Sequence, residues 1–160
     1  KEIPMTPETV VSGLSMPADQ HIAAGSDRVE LIKRLNVALA TEMISVLRYR
    51  RYHFMAQRAD IADGFLLHSN EVLGHADRIA RRITQLGAAP DFAPDRFSHS
   101  SHEQYMPGES LQALIDEDHA AGQIAMVGYR EMIESITDQD PTTAQMLNEI
   151  LAAKRKHMEK

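Results

Sequence analysis

The sequence predicts an all-α chain folded as one four-helix bundle, with a long connection between the second and third helices and an N-terminal arm. Three observations carry this. Apolar residues recur at three- and four-residue steps through four long segments, and no alternating apolar-polar stretch competes as a strand. The breaks between the first and second segments and between the third and fourth are short, whereas the middle one gathers proline, glycine and serine over about 22 residues. A chain of 160 residues is also long enough for one domain with a core of its own.

The arm, residues 1–25, holds Pro4, Pro7, Gly13, Pro17 and Gly25 and reads as irregular chain with short helical turns. Asp27 and Glu30 have capping-box spacing and open the first helix, which runs to about Ala56 with Leu31, Leu35, Ala38, Val46 and Tyr49 along its apolar stripe. The second helix extends from about Ile61 to Leu86, carries Leu67, Val72, Ile79 and Ile83, and stops at Gly87, a residue suited to the left-handed turn that ends helices. Residues 88–109 contain Pro90, Pro94, Pro107 and Gly108, and no regular element is expected there. At ~3.3 Å per residue this connection spans a whole helix, so the third helix need not run antiparallel to the second. That helix covers about Ser110 to Thr137, with Leu114, Ile115, Ala121, Ala125, Met126 and Tyr129 at helical spacing. The segment Asp138–Pro141 breaks it. Asp140 then caps a fourth helix with Pro141 in its first position, and Met146, Leu147, Ile150, Ala153 and His157 carry it to the end, giving a bundle over residues 26–160.

Composition narrows the function. Seventeen Lys and Arg against 23 Asp and Glu give a net charge of −6, the wrong sign for a protein that neutralises many phosphates, so nucleic acid is not expected as a partner. Cysteine is absent, which removes disulfides, thiolate metal sites and cysteine nucleophiles. The most apolar stretch, Leu35 to Leu47, is interrupted by Asn36, Thr41 and Glu42 and is too short for a bilayer. The first 25 residues show no apolar core of a signal peptide. A cytoplasmic protein without a membrane partner is the expectation.

Chemistry is expected from polar residues that interrupt the apolar faces, because burial penalises them unless a partner satisfies them. Glu42 falls seven residues after Leu35 and four before Val46, which places its carboxylate among core side chains. His75 lies three after Val72 and four before Ile79, with Glu71 one turn before it; His157 follows Ile150 by seven. Two readings stand: a buried Glu paired with a core cation beside hydrogen-bonded histidines, or a metal site.

The segments Ala40-Thr41-Glu42, Gly74-His75-Ala76-Asp77-Arg78-Ile79-Ala80 and Asp140-Pro141-Thr142-Thr143 resemble the bacterioferritin-like, Dps-related branch of the ferritin superfamily. Arg82-Ile83-Thr84-Gln85-Leu86-Gly87 and Tyr129-Arg130-Glu131-Met132-Ile133 extend the likeness over about residues 27–160. The resemblance implies a subunit of a hollow cage that handles iron. It also implies a di-iron ferroxidase centre formed by a Glu on the first helix, Glu-x-x-His on the second, a Glu on the third and Glu-x-x-His on the fourth. Glu42, His75 and His157 match that pattern. Val72, Gly122 and Lys154 stand where the other three carboxylates are expected, and Glu71 is one residue off, about 100° around the helix. Lys154, followed by Arg155 and Lys156, brings positive charge to the site and can pair with Glu42 in place of metal, as in the non-catalytic light subunits of mixed ferritins. The family's haem ligand, a Met two residues before the histidine, is Leu73 here, so haem is not expected.

The leading expectation is therefore an iron-storage cage subunit with an inactive ferroxidase centre, forming a homo-oligomer or a mixed cage with an active paralogue. The alternatives are an oxidase holding one metal ion on Glu42, Glu71, His75 and His157, and a Dps-like stress protector. The last lacks the usual basic tail, since Lys1 is the only Lys or Arg before Arg28. His99, His102 and Glu103 offer a weaker ion site in the long connection. Arg50, Arg51, Arg81 and Arg82 read as solvated or interface charges.

Overall fold

The computed structural model describes residues 25–100 and 110–159, with the side chains of Ser26 and residues 98–100 excepted. Residues 1–24 of the arm, His102 and Glu103, and the side chain of His99, lie outside the described part, while Gly25, the arm's last residue, already belongs to the first helix. All five regular elements among the described residues are helices: α1 (Gly25–Met55), α2 (Ala59–Gln85), α3 (Pro94–Ser100), α4 (Leu111–Ile136) and α5 (Pro141–Met158). Among the described residues no helix is long and apolar enough to cross a membrane.

Local signals set the boundaries. Gly87 adopts φ 86°, its N–H donates to the Thr84 carbonyl and the N–H of Ala88 donates to that of Ile83, so a left-handed glycine closes α2 and satisfies its last carbonyls. Ser110 caps α4 by accepting from the Ala113 N–H, and Asp140 caps α5 by accepting from that of Thr143, with Pro141 opening the helix. Two expectations need correction. Helix α1 begins at Gly25, so Asp27 sits inside its first turn, where a carboxylate favours the helix dipole, and does not cap it. Residues 94–100 form a short helix inside the connection, because Pro94 stands at its start, where a missing N–H is harmless.

Cross-helix contacts fix the topology. Arg34 meets Ser135, Tyr52 donates to the Leu114 carbonyl, and so α1 and α4 run antiparallel. Arg78 meets Glu149 and Arg82 meets Asp140, which makes α2 and α5 antiparallel. Since α1 and α2 are themselves joined by a short turn, α2 and α4 point the same way. The connection must return along the bundle, and it does so beside α1: the Asp91 N–H donates to Asn36 Oδ1, and Phe97 of α3 packs against Ala40 and Ile44.

The core lies between α1, α2, α4 and α5, where Leu35, Ile79, Ile83, Met132, Leu147 and Ile150 are fully buried. Each such side chain contributes about 1.5–3 kcal/mol through removal from water. Leu67 is a correction, being 62 % exposed. Five residues separate it from Val72, which puts it about 140° away around the helix, off the buried face.

Arg82 is a further correction. It is buried, not solvated: Nη2 donates to both Asp140 carboxylate oxygens at 3.0 Å and Nε donates to Thr143 Oγ1 at 2.7 Å. The carboxylate that caps α5 thus also neutralises a guanidinium arriving from α2. Arg50, by contrast, is exposed and donates to Asn70 Oδ1, Arg81 is exposed, and Arg51 is half-buried.

Candidate functional site

Glu42 sits midway along α1 with no exposed surface, as the spacing requires. Its Oε1 receives the Tyr129 hydroxyl from α4 at 2.8 Å and the Lys154 ammonium from α5 at 2.8 Å; the same ammonium lies 5.8 Å from the centre of the Tyr129 ring. Its Oε2 faces His75 Nδ1 of α2 at 3.5 Å, too far for a good hydrogen bond, and both atoms are buried without another partner. A cavity of about 40 Å³ beside them, bordered by Val72, His75, Gly122 and Lys154, has room for a water molecule. Burial alone raises the Glu42 carboxyl, but the Lys154 charge, the facing His75 imidazole and the Lys154 hydrogen bond outweigh it and bring the pKa down to about 2. The carboxylate is therefore ionised and held by a cation of the chain itself.

Glu71 and His157 belong to a neighbouring group. Glu71 Oε2 lies 2.6 Å from His157 Nε2 of α5 and 3.5 Å from His68 Nδ1 on its own helix, and the two imidazole rings are 3.8 Å apart between centres. Burial, followed by the charge of His157, lowers the His68 pKa to about 4. The Glu71 carboxyl is also lowered: burial opposes this, and the hydrogen bond from His68 leads the effects that outweigh it. Four sequence candidates thus divide into two pairs: Glu42 with His75, and Glu71 with His157. His68 escapes the sequence reading, although a signal exists. It falls three residues before Glu71 and seven before His75, so one face of α2 carries all three.

Val72, Gly122 and Lys154 line the space between the groups. Val72 is buried and apolar. Gly122 opens toward α5, where a Cβ at that position would meet Met158 Sδ at 3.3 Å. Leu73 is half-buried. Asp118, one turn before Gly122, is held by Arg48 at 3.2 Å and by the Tyr49 hydroxyl at 2.7 Å. A wider cleft of about 460 Å³, bordered by Tyr52, Phe65, His68, His119 and His157, lies against the second group.

The chain belongs to the ferritin-like domain family, whose model matches residues 32–160. Its structure is similar to that of a dodecameric thioferritin, the bacterioferritin-related protein of Bacteroides fragilis, with 27% identity and a TM-score of 0.77 over 83% of this chain and 82% of that one. It also resembles the Dps protein of Vibrio cholerae O1, described as a member of a superfamily of ferritin-like diiron-carboxylate proteins, at 16% identity and TM-score 0.77 over 91% and 95%. The Dps of Staphylococcus aureus is similar at 18% identity and TM-score 0.74 over 81% and 91%. No curated protein matches the chain.

Proposed function

We propose that this chain is a subunit of an iron-handling shell of the ferritin type, built from copies of itself or shared with an active paralogue, in which an internal ion pair replaces the di-iron centre. The reading is supported by the family match, by the dodecameric assembly of the similar Bacteroides fragilis protein, and above all by one contact: Lys154 Nζ at 2.8 Å from Glu42 Oε1. Two irons need several carboxylates to balance their charge and complete their oxygen-rich coordination. The residues present do not fit such a pair. Val72 and Gly122 provide no side-chain donor, and Lys154 places a positive charge against the central carboxylate. In this reading the shell stores or shields iron without oxidising it at the bundle centre, and an active paralogue in a mixed shell would supply that step.

Light scattering together with aerobic ferrous oxidation tests both halves of the proposal. A particle of many subunits is expected, with ferric absorbance rising no faster than in buffer. The combined Val72→Glu, Gly122→Glu, Lys154→Glu variant is expected to accelerate oxidation, with the flexible end of Met158 swinging aside for the new side chain at 122. A monomer or dimer would overturn the shell. Rapid oxidation by the unaltered chain that disappears on Glu42→Gln would overturn the inactive centre.

A further inference from the structure

The second polar group has its own chemistry. His68 and Glu71 occupy successive turns of α2, and His157 approaches from α5, so two helices present two imidazoles and one carboxylate to the same point. One ligand atom from each residue lies within 4.8 Å of the other two. Donors around an ion at ~2.1 Å from each stand about 3.0–3.4 Å apart, so small side-chain rotations suffice to admit one. The 2.6 Å contact between Glu71 and His157 would open and the remaining separations would shrink.

We propose that His68, Glu71 and His157 form a mononuclear site for a divalent transition-metal ion, ferrous iron or zinc, displaced outward from the bundle centre. Two nitrogens and one oxygen suit these ions of intermediate softness, whereas calcium and magnesium require a shell composed mainly of oxygens. Three protein donors leave coordination positions for water. The wide cleft supplies access, since His68 and His157 both border it. Charge also favours the displaced position: Lys154 already neutralises Glu42, while Glu71 is turned away on the next residue from Val72 and remains 44% exposed. An ion bound here needs neither Glu42 nor His75.

This inference goes beyond the shell reading and does not depend on it, because an ion count per chain and a particle mass are separate measurements. His68 is the discriminating residue, since a site at the bundle centre makes no use of it. Purified full-length protein, stripped with chelator, is titrated with zinc alone and, anaerobically, with ferrous iron alone, and bound ion is counted after equilibrium dialysis. Cobalt serves as a spectroscopic substitute through its ligand-field bands. One ion per chain is expected. His68→Ala and Glu71→Gln are each expected to weaken binding by at least about tenfold and to shift the cobalt bands. The Glu42→Gln, Lys154→Met double variant should leave both readouts unchanged. Circular dichroism verifies that each variant is folded, and His68→Gln provides a gentler second test at that position. Preference for one of the two metals identifies the ion. Less than 0.1 ion per chain at about millimolar free metal, or full binding retained by folded His68→Ala and His68→Gln, would overturn the proposal.

Discussion

The Arg82 guanidinium straddles the Asp140 carboxylate, with Nη2 at 3.0 Å from both oxygens, and the pair is almost fully buried at the junction of α2 and α5. Removing the cation strands a carboxylate away from water. Arg82→Met is expected to destabilise the fold by about 3–5 kcal/mol, and Arg82→Lys to recover only part because an ammonium cannot fork onto two oxygens while bonding Thr143. Denaturant titration followed by circular dichroism measures both.

The same logic at the bundle centre separates a pair from its parts. Lys154→Met leaves Glu42 buried without its cation and is expected to cost about 3–5 kcal/mol at neutral pH. Glu42→Gln with Lys154→Met removes both charges and should lie much closer to the unaltered chain. A double-mutant cycle in denaturant, with a coupling energy well above 1 kcal/mol, is the expected outcome.

Acid should reveal Glu42 directly. Its carboxyl titrates at about 2 in the folded chain against 4.5 for the ordinary group. A lowered carboxylate contributes stability that is fully present above the ordinary value and lost as pH falls through the folded one. The denaturation midpoint should therefore decline between about pH 4.5 and pH 2, and the neutral double variant should decline less steeply over that window. Stability measured at half-unit intervals checks the slope.

Glycine in a helix forfeits about 1 kcal/mol relative to alanine, and two positions separate space from propensity. A Cβ at Gly74 meets nothing within 4 Å, so Gly74→Ala should stabilise the chain by roughly the full amount. At Gly122 the new methyl group would meet Met158 Sδ at 3.3 Å. A thioether can give way, so a smaller gain is expected there, and thermal melts of the two variants should rank in that order.

What was legible in the chain followed from short-range rules. Gly87, Ser110 and Asp140 announce helix ends because capping depends on neighbours within a few residues. Spacing marks Glu42 as buried, and the Lys154–Glu42 contact is legible through the resemblance, which sets Lys154 where a carboxylate facing Glu42 is expected. Arg82 is not, since its partner lies 58 positions away and already has a local role as a cap. Pro94 misleads by its type: a breaker in mid-helix is an acceptable first residue, and only the backbone shows which applies. His68 is obscured because its relation to Glu71 becomes chemical only when α5 delivers His157.

The parallel course of α2 and α4 divides the molecule into halves, α1 with α2 and α4 with α5, facing each other across a seam. Arg48–Asp118, Glu42–Lys154 and Arg82–Asp140 each place one charge on either side of it, at three heights along the bundle. Leucine and isoleucine accept many ways of docking one half on the other. These charges do not: a slide of one turn, or an inverted approach, would leave several of them dry and unmatched, so the polar contacts select the alignment that the greasy surfaces merely allow.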